Sequence, residues 1–102
     1  KDLEKAERMS KQCVELSPNQ PTYQDAYGWV LYKLKRFNKA EEWLKKAVEG
    51  DSKSPVITEH YGDVLYKLNF KKEALEYWKK AKNSGGDSEL LNKKVREGVL
   101  YE

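Results

Sequence analysis

The run Tyr27-Gly28-Trp29-Val30-Leu31-Tyr32-Lys33-Leu34 returns thirty-four residues later as Tyr61-Gly62-Asp63-Val64-Leu65-Tyr66-Lys67-Leu68. Seven of the eight positions are identical, and only the third differs, Trp29 against Asp63. An echo of this length at a fixed offset marks a structural unit used twice, so architecture comes before chemistry. Aligned at the same offset, residues 21–54 and 55–88 agree at fourteen positions, including Pro21 with Pro55, Ala40 with Ala74, Ala47 with Ala81 and Ser54 with Ser88.

Around this core the spacing of apolar residues is helical throughout. Residues 1–16 carry Leu3, Ala6, Met9, Cys13 and Leu16 at intervals of three or four, before Ser17-Pro18-Asn19 stops the helix. Pro21 suits the first position of a second helix, whose stripe is Tyr23, Tyr27, Val30, Leu31 and Leu34. A third, over about 38–49, carries Ala40, Leu44 and Ala47, with Trp43 and Val48 beside them. Ser54 caps a fourth that starts at Pro55 and buries Ile57, Tyr61, Val64, Leu65 and Leu68. The fifth repeats Ala74, Trp78 and Ala81 and ends at Gly85-Gly86. Asp87 or Ser88 caps a sixth, with Leu90, Leu91, Val95 and Val99 as its apolar side. A glycine inside a helix costs roughly 1 kcal/mol relative to alanine. Its recurrence at Gly28 and Gly62 predicts a neighbouring helix that approaches with no side chain between.

These residues resemble the tetratricopeptide repeat (TPR) family. Gly28 and Gly62 match its small eighth residue; Ala6, Ala40 and Ala74, then Cys13, Ala47 and Ala81, match its two small positions on the second helix. Leu44 and Trp78 stand at its large position and Pro18 at its closing proline. Departures are Ser10 at the large position, Ser52 and Gly86 for proline, Gln24 and Thr58 where Trp is common, and Leu31 and Leu65 where Tyr is common. Within the family the chain resembles the C-terminal end of longer bacterial TPR proteins. The resemblance implies an all-α fold of about six helices, paired helix-turn-helix and stacked as a right-handed superhelix. One domain over 1–102 would comprise the second helix of an incomplete repeat (1–17), full repeats at 21–54 and 55–88, and a capping helix (88–102). Val99, Leu100 and Tyr101 would then pack back on the fifth helix or meet something beyond it. The chain starts without Met and in mid-pattern, which reads as part of something longer.

Composition narrows the function. A net charge of +3 is small for a nucleic-acid binder, and none is expected as partner. No apolar run approaches the roughly 18 residues that span a membrane. One cysteine and one histidine cannot make a four-ligand zinc site, and no glycine-rich phosphate loop occurs, so neither metal nor cofactor is expected. His60 has no evident catalytic partner and Cys13 takes a packing position, so the chain does not read as an enzyme. Compartment and pathway stay open.

The resemblance also implies where a partner binds. In TPR domains the first helix of each pair lines a concave groove, at positions held here by Thr22, Asp25, Trp29, Tyr32 and Lys33, then Val56, Glu59, Asp63, Tyr66 and Lys67. The expected partner site is Asp25, Trp29, Tyr32, Lys33, Glu59, Asp63, Tyr66 and Lys67, with Trp29 foremost because its counterpart is not aromatic. TPR domains that hold the carboxylate terminus of chaperones carry Lys and Asn where this chain has Asp25, Trp29, Glu59 and Asp63. Three carboxylates in the groove would favour a protein or peptide with basic and apolar side chains. The alternative is a purely structural end of a longer array, self-associating through its open N-terminal face. Lys11, Lys45 and Lys79, with Lys46 and Lys80, form a ladder on the outer helices. The interleaved Glu42 and Glu76, four residues before Lys46 and Lys80, make it read as a solvated face of ion pairs.

Overall fold

The alternation of apolar stripes with proline and glycine stops builds a purely helical chain. The computed structural model describes residues 2–102, so Lys1 of the expected first helix lies outside the described residues. The helices are α1 (Asp2–Leu16), α2 (Pro21–Lys33), α3 (Phe37–Gly50), α4 (Pro55–Lys67), α5 (Lys71–Asn83) and α6 (Glu89–Glu97). Among the described residues there is no strand. The main interfaces are α2 on α3 and α4 on α5; α1 lies against α2, α3 against α4, α6 against α5, and α2 also touches α4.

Helix starts and ends follow local chemistry. Pro21 and Pro55 open α2 and α4, and the Ser54 and Ser88 hydroxyls accept the Ile57 and Leu91 amides at 3.3 and 3.0 Å. The repeat also shares a helix ending. Lys35 and Asn69 both take a left-handed backbone, with φ of 64° and 74°. The next amides, of Arg36 and Phe70, reach back to the Leu31 and Leu65 carbonyls at 2.9 and 2.8 Å. This closes the last carbonyls of α2 and α4 in a Schellman-type turn, and Gly85-Gly86 closes α5 the same way.

The small residues do what their spacing predicts. Ala40, Ala47, Ala74 and Ala81 are wholly buried, as are Leu44 and Trp78 between them. A Cβ added to Gly28 would stand 2.8 Å from the Leu44 Cγ, and one added to Gly62 would stand 2.6 Å from the Trp78 Cδ1 and 2.7 Å from its Nε1. Two positions expected to carry the aromatic Trp of the family hold buried polar groups instead. The Gln24 amide donates to the Pro18 carbonyl and the Thr58 hydroxyl to the Ser54 carbonyl, each at 2.7 Å. They tie the start of each pair to the preceding turn.

The first helix differs from its sequence reading. Its stripe of Leu3, Met9 and Leu16 is exposed, and Val14 is the residue that enters the core. Tyr23 of α2 is likewise exposed. The stripe is real but no helix precedes α1 among the described residues to cover it. Ala6, Met9, Ser10, Cys13, Thr22, Tyr23, Ala26 and Val30 therefore line an open apolar trough of about 470 Å³. On α6, Leu91 is buried and Val95 packs on the core, whereas Leu90 and Val99 are exposed and Lys94 is buried in their place. On the outer helices Lys46 and Lys80 lie over the rings of Trp43 and Tyr77 at 4.3 and 4.6 Å. They do not form the expected pairs with Glu42 and Glu76, because an adjacent aromatic face holds the ammonium without requiring a second flexible side chain to be fixed.

An alanine at position 62 tests this packing. It gains helix propensity but forces the indole of Trp78 to move, and overpacking costs about 1–3 kcal/mol. Gly62→Ala is expected to lower the urea midpoint clearly. Gly28→Ala should lower it less, since a leucine rotates away more readily than an indole pinned by a hydrogen bond. Equal midpoints for the two variants would count against this account.

Candidate functional site

Because α2 and α4 lie side by side, their non-core faces and α6 enclose a cleft of about 220 Å³. It is lined by Trp29, Tyr32 and Lys33 from α2, Glu59, His60 and Asp63 from α4, Leu90 and Lys94 from α6, and Tyr101 and Glu102 after it. Of the expected partner-site residues, Trp29, Tyr32, Lys33, Glu59 and Asp63 come together here. Asp25, Tyr66 and Lys67 do not line the cavity. Asp25 is turned onto His60, Tyr66 stacks on Trp78 at 5.7 Å, and Lys67 reaches Glu102 at the rim. Thr22 belongs to the N-terminal trough instead.

Trp29 is the centre of an aromatic stack. Its ring lies 3.8 Å from His60 and 4.4 Å from Tyr32, with interplanar angles of 13° and 6°. Lys33 stands over its face at 5.2 Å. His60 Nδ1 is 2.8 Å from Asp25 Oδ1. This corrects the expectation that His60 lacks an acidic partner. Asp25 and His60 sit on neighbouring helices at nearly equivalent heights, which linear spacing does not reveal. The pair orients the imidazole against Trp29, and among the described residues no serine, threonine or cysteine lines the cleft beside it.

The carboxylates are not free. Lys94, only 2% exposed, donates to Asp63 Oδ1 and Oδ2 at 2.9 and 3.1 Å and to Glu59 Oε2 at 2.7 Å. The Trp78 indole N–H donates to the same Asp63 oxygen at 2.9 Å. Leu44, the equivalent of Trp78 in the first pair, has no such donor. The Trp29/Asp63 difference and the Leu44/Trp78 difference are thus one change: where the packing residue is an indole, the facing helix must supply an acceptor. Tyr32 is buried, and its hydroxyl donates to Glu102 Oε1 at 2.6 Å, which Lys67 Nζ also meets at 2.9 Å. Burial, then the Glu102 bond, pushes the Tyr32 phenol up, so it stays a donor.

Sequence reasoning missed His60, Leu90, Lys94, Tyr101 and Glu102. Lysine is a residue rarely buried unless paired, so nothing in the sequence marked Lys94 as a cleft residue. The one available signal was that Asp63 breaks the repeat beside a tryptophan that also breaks it.

Burial pushes the Asp63 carboxyl up to about 6, against the pull of Lys94 and the Trp78 N–H. An unfolded aspartate titrates near 3.9. Folding therefore raises its proton affinity; its linkage favours the folded state at acid pH, and that advantage is lost as pH rises through about 6. Relative to Asp63→Asn, the unmodified chain should gain about 1 kcal/mol of stability between pH 7 and pH 5. Denaturant melts of both proteins at the two pH values check this, and a difference independent of pH would rule it out.

The comparisons agree with this fold. The family model described as "Anaphase-promoting complex, cyclosome, subunit 3", a TPR-type family, matches residues 1–81. No curated protein matches the chain by sequence. Among solved structures the chain is similar to the Sgt2 TPR domain from Aspergillus fumigatus, with a TM-score of 0.87 and 19% identity over 95% of this chain and 66% of that one. It is also similar to the TPR2B domain of yeast Sti1 in a pHsp70 complex, with a TM-score of 0.85 and 16% identity over 95% of this chain and 82% of that one. A third is the first TPR of Spaghetti (RPAP3) bound to the HSP90 peptide SRMEEVD, with a TM-score of 0.85 and 16% identity over 94% of this chain and 78% of that one. At these identities the likeness is one of fold, an all-α helical repeat.

Proposed function

This chain belongs to the TPR-type family described as anaphase-promoting complex, cyclosome, subunit 3, and on that premise we propose that it is a non-enzymatic protein-interaction module that holds a peptide or partner surface in the cleft between α2, α4 and α6. The observation that carries the reading is the Trp29 stack. A tryptophan stacked with the rings of His60 and Tyr32, yet only partly buried at a cavity wall, is a preorganised apolar anchor. Its repeat equivalent is an aspartate, so the fold does not need it for packing. Two of the structural neighbours are complexes with chaperone peptides, which supports a protein or peptide as partner.

Partner chemistry follows from charge. A preference for basic peptides assumed three uncompensated carboxylates. With Asp25 on His60, and Glu59 and Asp63 sharing Lys94, that assumption is weakened, and the apolar half of the expectation is the part that Trp29 and Leu90 favour. Trp29→Ala should weaken peptide binding by about 1–3 kcal/mol as a hot spot, read by titrating the best binder from a labelled peptide library. An unchanged dissociation constant would count against this cleft.

A second reading rests on a different observation, the open trough between α1 and α2. Its residues Ala6 and Cys13 correspond to Ala40 and Ala47, which are wholly buried where α3 packs between α2 and α4. A helix of the α2 kind completes this surface, either from a longer array or from a second copy. If a second copy does so, sedimentation should show concentration-dependent association of the chain, abolished by Ala26→Glu. A monomer at every concentration would exclude the self-associating form.

A further inference from the structure

Beyond α6 the chain turns at Gly98, in left-handed conformation with φ of 65°, and continues as a short strap without regular secondary structure. Leu100 packs on the core, which answers where the apolar end of the chain goes. Tyr101 turns into the cleft wall, its ring under Lys93 at 4.3 Å and its hydroxyl donating to the Glu97 carboxylate. Glu102 then reaches the corner formed by Tyr32 and Lys67. Both contacts are made by its side-chain oxygen Oε1, not by the backbone.

That corner has the properties of an anion site. The Tyr32 hydroxyl is the polar end of a ring only 4% exposed, and Glu102 is its one side-chain partner among the described residues. A buried donor of this kind requires an acceptor. The acceptor is selected for charge as well. Lys67 contacts it, while Lys33 stands nearby over Trp29. Among the described residues Lys67 meets no other carboxylate and Lys33 meets none, in contrast to Lys94. The Tyr32 hydrogen bond, then Lys67, holds the Glu102 carboxyl below the usual carboxylate range. These residues are not at the positions of Asp25, Trp29, Glu59 and Asp63, so the corner differs from the arrangement that the family uses for a chaperone's terminal carboxylate.

We propose that the Tyr32–Lys67 corner is a receptor for an acidic side chain that follows an aromatic one in a partner peptide, and that the strap ending Leu100-Tyr101-Glu102 is its resident competitor. The inference rests on the cleft being the binding surface and adds the chemistry and the control of that surface. The strap is tethered only a few residues from α6, so it acts at an effective concentration on the order of millimolar. A partner must outcompete it, and whatever holds the strap elsewhere opens the cleft. Only the closed fraction of the chain is unavailable to ligand, so the apparent affinity is the intrinsic affinity multiplied by the open fraction.

The test uses the full chain and a fluorescein-labelled, C-terminally amidated peptide Val-Leu-Tyr-Glu, copied from residues 99–102, beside the same peptide with Gln for Glu. Glu102→Ala should bind the Glu peptide about ten-fold tighter than the unmodified chain does, as expected when roughly nine-tenths of the latter is closed. Lys67→Met in the Glu102→Ala background should cancel that gain, and the Gln peptide should bind weakly to all forms. In parallel, backbone amide order parameters of Leu100 to Glu102 should be near the rigid value of about 0.85 in the unmodified chain and fall toward about 0.6 in Glu102→Ala. Equal affinities of the two chains, equal binding of the two peptides, or a strap already mobile in the unmodified chain would each overturn the proposal. If neither peptide binds any form the proposal falls as well, while the cleft itself is judged separately by the Trp29→Ala titration with library peptides.

Discussion

The buried contact of Trp78 with Gly62 and Asp63 joins more of this molecule than any other. The indole occupies the space that a side chain at position 62 would fill, so α4 and α5 approach until a Cβ would be 2.6 Å from the ring. That closeness traps the indole N–H away from water, and a trapped donor needs an acceptor. Asp63 supplies it, and being a carboxylate it needs a cation in turn. Lys94 of α6 answers that need and reaches Glu59 as well. A single packing choice on α5 thus determines a charge on α4, another on α6, and the seating of the last helix.

The functional face inherits its character from this chain of requirements. Because Glu59 and Asp63 share Lys94, and Asp25 is hydrogen-bonded to His60, the negative field of the cleft is weaker than its carboxylates alone imply. What remains open to a partner is an aromatic platform and two rim lysines, one of them already holding the chain's own Glu102. A buried ion pair is weak evidence for stability, since desolvation offsets most of the Coulomb gain. Here its more evident effect is to orient α6, and through α6 the strap that follows.

The unequal ends of the stack have the same physical origin. Each pair buries only part of its apolar surface, and neighbours complete the core. At the C-terminal end α6 covers α5 with Leu91 and Val95. At the N-terminal end Ala6 and Cys13 face an open trough, while their equivalents in α3 and α5 are sealed. The same small residues at the same spacing are core in one place and surface in another, according to whether a helix lies across them.

How much was legible in the sequence can be judged residue by residue. The thirty-four-residue echo by itself determined the helix pairs, the glycine crossings at Gly28 and Gly62, the proline starts, the serine caps and the family. All depend on periodicity and backbone chemistry, which are local. It also singled out Trp29, the one position of the run that fails to repeat, and set Tyr32 beside the packing stripe. Only the tertiary structure decided what those residues meet. That His60 braces Trp29, that Lys94 is buried, and that Glu102 closes on Tyr32 are contacts between residues thirty or more apart in the chain. Side-chain periodicity states which face a residue occupies, but it carries no information on which charge will stand opposite. That was decided when α2, α4 and α6 came together.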